Sequence, residues 1–300
     1  MKTANDRLDL ARLSLEGLSV GDAFGDRFFM HADTAKALIQ ARALPKDPWA
    51  FTDDTNMALS IYETLRVHQE IHQANLGNSF AKHYDPSRGY GPAMHRLLAR
   101  IASGDPWKSV SEALFDGQGS FGNGAAMRVA PLGAYFFDDM DKVVAEAQKS
   151  AEITHAHPEG IAGAIAVAVA DAVAVRYTEK AAPDRVAYLN EILPFVPDSE
   201  VRSGIARARD IRSRVVDHVI GMIGNSYRIT AQDTVPFTLW CAGESLNSFE
   251  DAMWLTASAL GDVDTNCAIV GGIVSLYVGQ AGIPQEWIDK REPLPSWAFP

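Results

Sequence analysis

Residues 161–175 read IAGAIAVAVADAVAV, and residues 266–279 read NCAIVGGIVSLYVG. Both carry Ala, Val, Gly and Ile nearly all round a helical wheel, with Asp171 as the one charge inside the first. A helix apolar on every side is a buried one, and small side chains let neighbouring backbones come close. The two stretches therefore predict central helices of an all-α core. Asp171 interrupts the first run, which falls short of the ~20 apolar residues a membrane span needs, so a core helix is the reading.

Outward from these two, most of the chain repeats at helical period. In 54–74 the residues Met57, Ala58, Ile61, Leu65, His68 and Ile71 fall on one stripe, with Thr55 or an adjacent Asp able to cap the start. Similar patterns cover about 7–24, 34–43, 92–102, 106–114, 124–136 and 141–153, then about 158–177, 184–193, 199–223, 248–260 and 265–279. Strand-like alternation is almost absent, and no linker divides residues 1–300, so one compact all-α domain of about a dozen helices is expected. With 47% hydrophobic and 22% charged residues the composition is that of a soluble globular protein. A net charge of −11 leaves no basic surface for nucleic acid. Only Cys241 and Cys267 are present, without a CxxC, so neither a disulfide framework nor a thiolate zinc site is expected, and a reducing cytoplasm suits the chain. The first residues lack the apolar core of a signal peptide.

The chemistry concentrates just before the helices. Thr52-Asp53-Asp54-Thr55 precedes one, and Gly261-Asp262-Val263-Asp264-Thr265 precedes the buried 266–279 stretch. A single Asp would suffice as a helix cap; two at each place exceed that need. Adjacent carboxylates beside a buried helix repel unless a cation compensates them. Carboxylate and hydroxyl oxygen, without His or Cys, is the ligand set of a hard ion such as Mg²⁺, Mn²⁺ or Ca²⁺, and capping is the competing reading.

Gly117-Gln-Gly-Ser-Phe-Gly-Asn-Gly124 leads towards an expected helix and offers backbone N–H groups to a phosphate or pyrophosphate; a mobile surface loop is the alternative. Phe121 in that loop could stack on a base or cover a ribose. Thr154-His155-Ala-His157-Pro158 holds an HxH pair, but no third matching ligand lies nearby, so His155 reads as a structural residue or a substrate contact rather than a zinc ligand. Gly17, Gly21 and Gly25 recur every four residues, the spacing of a helix face built for close crossing. Asp22, beside Gly21, either supports the acidic site or acts as a cap.

Taken in order, GLSVGDAFG (17–25), FTDDTNMALS (51–60), SRGYG (87–91), GSFGNGAAMRVAPLG (119–133), ITHAHPEGIAGAIAVA (153–168) and GDVDTNCAIVGGIVSLYVG (261–279) resemble the ADP-ribosylglycohydrolase family. That family includes the ADP-ribosyl-acceptor hydrolases and the dinitrogenase reductase-activating glycohydrolase. The FDGQGSFGNGAAMR and RGYG elements are most similar to its branch acting on serine-linked and polymeric ADP-ribose. The resemblance implies an orthogonal all-α bundle with two Mg²⁺ ions (Mn²⁺ as the substitute), held by Thr52, Asp53 and Asp54 on one side and by Asp262, Asp264 and Thr265 on the other. It implies that Gly119, Ser120, Phe121, Gly122 and Asn123 hold the diphosphate and distal ribose, with Phe115 and His155 in the same cleft. Asp53, Asp54 and Asp264 are then the candidate catalytic residues. The expected partner is ADP-ribose or an ADP-ribosylated protein, with no nucleic acid or membrane.

One position departs from the pattern. Family members usually carry a Glu four residues after the second Gly of GDAxG, where this chain has Phe29. Leaving-group protonation would then fall to Asp26, His155, water or the substrate, and a catalytically impaired ADP-ribose-binding module is the alternative. A prenyl-diphosphate type of site is disfavoured, because Asp53-Asp54-Thr55-Asn56-Met57 lacks the third acid of DDxxD.

Overall fold

Residues 3–299 are described by the computed structural model, and among them lie seventeen α-helices, five 3₁₀ turns and no β-strand. The all-α expectation holds. Both apolar stretches form interior helices, Pro158–Arg176 and Val263–Val278. The first, at 19 residues, is longer than its apolar run and is long and apolar enough to cross a membrane; here it is buried inside the bundle.

The N-terminal helix Ala4–Asp26 packs along Val263–Val278 with almost no side chain between them. A Cβ on Gly17 would stand 2.4 Å from the carbonyl of Gly271, one on Gly21 2.1 Å from that of Cys267, and one on Gly25 2.5 Å from that of Val263. The four-residue glycine repeat is therefore a backbone-to-backbone seam, and it lays Asp22 alongside Asp264.

Several boundaries differ from the sequence reading. The 54–74 stretch is two helices: Asp53–His68 stops at Gln69, whose φ is +58°, and Gln73–Lys82 follows. The expected 199–223 helix is likewise divided into Glu200–Asp210 and Val216–Ile223. Ala231–Glu244, unforeseen because Pro236 lies within it, is a full interior helix. The 124–136 helix is replaced by a 3₁₀ turn at Asn123–Ala125 and a short helix at Ala130–Tyr135. The intervening turn directs Arg128 into the core, where it donates to Ser150 O (3.0 Å) and Thr154 Oγ1 (2.9 Å) and lies 4.5 Å over the Phe80 ring.

Candidate metal and ligand cleft

Two helix N-termini and one helix interior bring five aspartates together. Thr52 caps Asp53–His68, Asp262 begins Val263–Val278, and the glycine seam supplies Asp22 from the side. Oxygen atoms of Asp22, Asp54 and Asp264 lie within 4.8 Å of one another. Asp22 accepts the backbone N–H of Thr52 (3.0 Å) and of Thr55 (3.1 Å) and binds the hydroxyls of both. It therefore fills both roles open to it, capping a neighbouring helix while sitting in the acidic cluster. Thr52 Oγ1 is 2.9 Å from Asp22 Oδ1 and from Asp54 Oδ2.

None of Asp22, Asp53, Asp54, Asp262 or Asp264 forms a salt bridge among the described residues. Burial dominates their titration. It raises Asp22 to about 6, against the hydrogen bonds from Thr55 and Thr52. It raises Asp53 to about 7, assisted by the charges of Asp22 and Asp262. Asp54 and Asp264 go well above the usual carboxylate range, first from burial and then from their acidic neighbours. Asp54 Oδ1 is buried without any hydrogen-bond partner. The Arg128 charge acts on Asp53 only from a distance and against the larger effects of burial and acidic neighbours. An all-oxygen set, mutual repulsion, no Lys or Arg in ion-pair contact and one unpartnered buried carboxylate oxygen fit a hard divalent cation.

This cluster forms one end of a cavity of about 430 Å³. Of the residues singled out in the sequence, Asp53, Asp54, Asp262, Asp264 and Thr265 line it, together with Phe115, Ser120, Gly122, Asn123 and His155. Thr52, Gly119 and Phe121 do not. Thr52 is tucked behind, between Asp22 and Asp54. Gly119 takes φ +75°, and a Cβ there would lie 2.7 Å from the His157 nitrogen. Phe121 lines an adjoining groove, its ring centroid 6.1 Å from that of Phe115.

Hydrogen bonds anchor the second half of the glycine-rich loop. Asn123 Nδ2 donates to Asp262 Oδ2 (2.7 Å), Thr234 Oγ1 (3.1 Å) and Ser226 Oγ (3.2 Å), tying the loop to the acidic end. Phe121 O accepts from Ala231 N (3.0 Å) and Ile229 O from Asn123 N (3.3 Å). No regular helix begins at the end of this loop, so the helix dipole expected there is absent and only the loop's own N–H groups are on offer to an anion.

The two histidines diverge. His155 packs beneath the loop, where a Cβ on Gly124 would stand 2.8 Å from its ring, and its Nδ1 is 2.7 Å from Thr154 Oγ1. Burial and then the Arg128 charge push its pKa down to about 3, so it is neutral near pH 7 and is no imidazolium acid. His157 instead caps Pro158–Arg176 by accepting the Glu159 N–H (3.1 Å). Phe29 is 56% exposed and borders a separate hollow with Phe28, Met30 and Leu260; neither it nor Asp26 lines the acidic cavity. Proton donation by Asp26 or by a charged His155 thus has no support in this geometry.

Ile229 and Arg96 also line the cleft and were not foreseen. Ile229 had one usable signal, the Gly224-Asn-Ser-Tyr-Arg-Ile229 turn between apolar stretches. Arg96 had none.

The family model described as ADP-ribosylglycohydrolase matches residues 3–298. The human protein named ADP-ribosylhydrolase ARH3 is 26% identical over 91% of this chain and 86% of its own length. ADP-ribosylarginine hydrolase Tri1 of Pseudomonas putida is 23% identical over 96% and 76%. An uncharacterized protein of Archaeoglobus fulgidus reaches 31% over 91% and 88%. Among solved structures, one titled ADP-ribosylglycohydrolase-related protein complex superposes with a TM-score of 0.68 at 24% identity, covering 96% of this chain and 94% of that one. With a cleft of matching motifs and a family match across nearly its whole length, the chain belongs to the ADP-ribosylglycohydrolase family.

Proposed function

We propose that the protein is a Mg²⁺-dependent hydrolase that cleaves the glycosidic bond between ADP-ribose and an acceptor. The observation that carries this is the convergence, at one cleft, of a five-aspartate cluster with no ion-pair partner and an anchored glycine-rich loop. Asp53, Asp54, Asp262 and Asp264, with Thr52 and Thr265, would hold two divalent cations. When bound, Mg²⁺ supplies charge neutralisation, Lewis-acid polarisation and water of lowered pKa.

The chain's own groups do the rest. Ser120, Gly122 and Asn123 orient the diphosphate. The exposed ring of Phe115, facing Phe121, takes the base. His155, held neutral, offers a hydrogen bond without adding charge. Asp54 or Asp264 accepts the proton of the attacking water as the bond to the acceptor stretches through an oxocarbenium-like state, and the departing acceptor takes up a proton from solvent water.

The loop and RGYG motifs favour serine-linked or polymeric ADP-ribose, and the relative named ADP-ribosylarginine hydrolase Tri1 keeps arginine as the competing acceptor. Release of ADP-ribose from serine- and arginine-modified peptides, with Mg²⁺ or EDTA, tests the assignment. Asp264→Ala should abolish release, and undiminished release would sink the scheme. A second reading, an ADP-ribose binder without turnover, is favoured by the placement of Phe29 and Asp26 outside the cleft. ADP-ribose binding by calorimetry with no cleavage of either peptide would select it.

A further inference from the structure

Phe51, the residue before Thr52-Asp53-Asp54, is held from three directions by two residues distant in the chain. Glu292 Oε1 accepts its N–H at 2.8 Å, across 241 positions of sequence. Arg88 donates to its carbonyl at 2.8 Å and lies 4.0 Å over its ring. Glu292 and Arg88 are themselves an ion pair, only partly exposed to solvent. The backbone around Glu292 is fixed as well: its N–H donates to Trp49 O (2.9 Å), and Trp49 N–H donates to Lys290 O (3.0 Å).

These contacts reach the acids through the adjoining backbone. The next backbone N–H, that of Thr52, is taken by Asp22. Two consecutive amides are thus clamped by carboxylates from the C-terminal segment and from the N-terminal helix. Arg88 is followed by Gly89, where an added Cβ would lie 3.9 Å from Asp53 Oδ1, so the same ion pair sets the cleft wall facing that carboxylate. Arg291 donates to Glu16 Oε1 at 2.7 Å, joining the C-terminal segment to the helix that carries Asp22.

We infer that Glu292 is a positioning residue for the acidic site: through Phe51 and Arg88 it fixes where Asp53 and the Gly89 wall stand, and so sets the affinity for a divalent cation. This rests on the cation-site reading above. Groups that orient ligands from outside commonly change metal affinity by about 10–100-fold when removed.

The test is Mn²⁺ binding by calorimetry without substrate, together with melting of the metal-free protein. Glu292→Gln keeps an acceptor for the Phe51 N–H and loses the charge opposite Arg88, so Mn²⁺ affinity should fall about threefold with melting little changed. Glu292→Ala loses both contacts and should weaken Mn²⁺ about tenfold or more. Should the Ala variant fail to fold, the Gln variant carries the test. Wild-type affinity in the folded variants, with or without a lowered melting temperature, overturns the inference and leaves the cation site standing. A wild-type protein that shows no saturable Mn²⁺ binding overturns both.

Discussion

Gly21 lies so close to Cys267 that a Cβ on it would stand 2.1 Å from the Cys267 carbonyl oxygen. No rotamer change relieves a clash with backbone, so any side chain at position 21 must push two central helices apart. The same displacement would separate Asp22 from Asp264.

Gly21→Ala should therefore cost roughly 3 kcal/mol of stability, the upper range for forcing atoms into a packed interior. Gly221→Ala is the internal control. It lies within the helix Val216–Ile223 with nothing inside 4 Å of its added Cβ, and should gain about 0.5–1 kcal/mol. Urea unfolding of the two variants checks the contrast; equal effects at the two sites would refute the seam.

The acidic cluster makes metal-free stability depend on pH with a definite sign. Asp22 is raised to about 6 and Asp53 to about 7 by burial, against about 3.9 in an unfolded chain. Between about pH 4 and 7 the folded form holds protons that the unfolded form has lost, so stability falls as pH rises through that window. Calorimetric melting in EDTA should show a lower melting temperature at pH 8 than at pH 5. Mg²⁺ should restore stability most at the higher pH, and binding near pH 6 should release protons. Asp53→Asn should flatten the dependence. A metal-free melting temperature that climbs from pH 5 to 8 would contradict the assignment.

Features written locally were legible in the sequence. The 161–175 and 266–279 helices announced themselves because almost nothing on them suits water. The TDDT and GDVDT clusters did so because two acids exceed what a cap requires. Asp22 was left between two roles because its place depends on glycine contacts with residues some 240 positions away, which no local pattern encodes. The end of Asp53–His68 was missed because the left-handed residue there is Gln69, not Gly, so the usual stop signal is absent. Ala231–Glu244 was missed because Pro236 reads as a breaker, although the helix runs on through it. The helix expected after the glycine-rich loop failed because Asn123 and Arg128 are committed to partners outside it.

Ile229 offers a test of binding against stability. It is β-branched, 59% exposed and held at φ +55° at the lip of the cleft. Such a conformation costs of order 1–3 kcal/mol and persists where a site demands it. Ile229→Gly should raise or preserve the melting temperature while weakening ADP-ribose several-fold, as read by calorimetry. A variant that loses stability and binds ADP-ribose normally would show that the residue serves the fold alone.

Asp171 sits in the middle of Pro158–Arg176, fully buried, with neither carboxylate oxygen hydrogen-bonded. Burial pushes its pKa well above the usual carboxylate range, which favours the neutral acid in the folded protein. Holding that proton becomes harder as pH rises past the unfolded value, by about 1.4 kcal/mol per pH unit until the folded pKa is reached. Asn is the neutral isostere of the protonated side chain. Asp171→Asn should thus match the wild type in urea unfolding near pH 4 and exceed it increasingly towards pH 8. A stability difference that stays constant across this range would mean that Asp171 is charged in the fold and that an unseen partner compensates it.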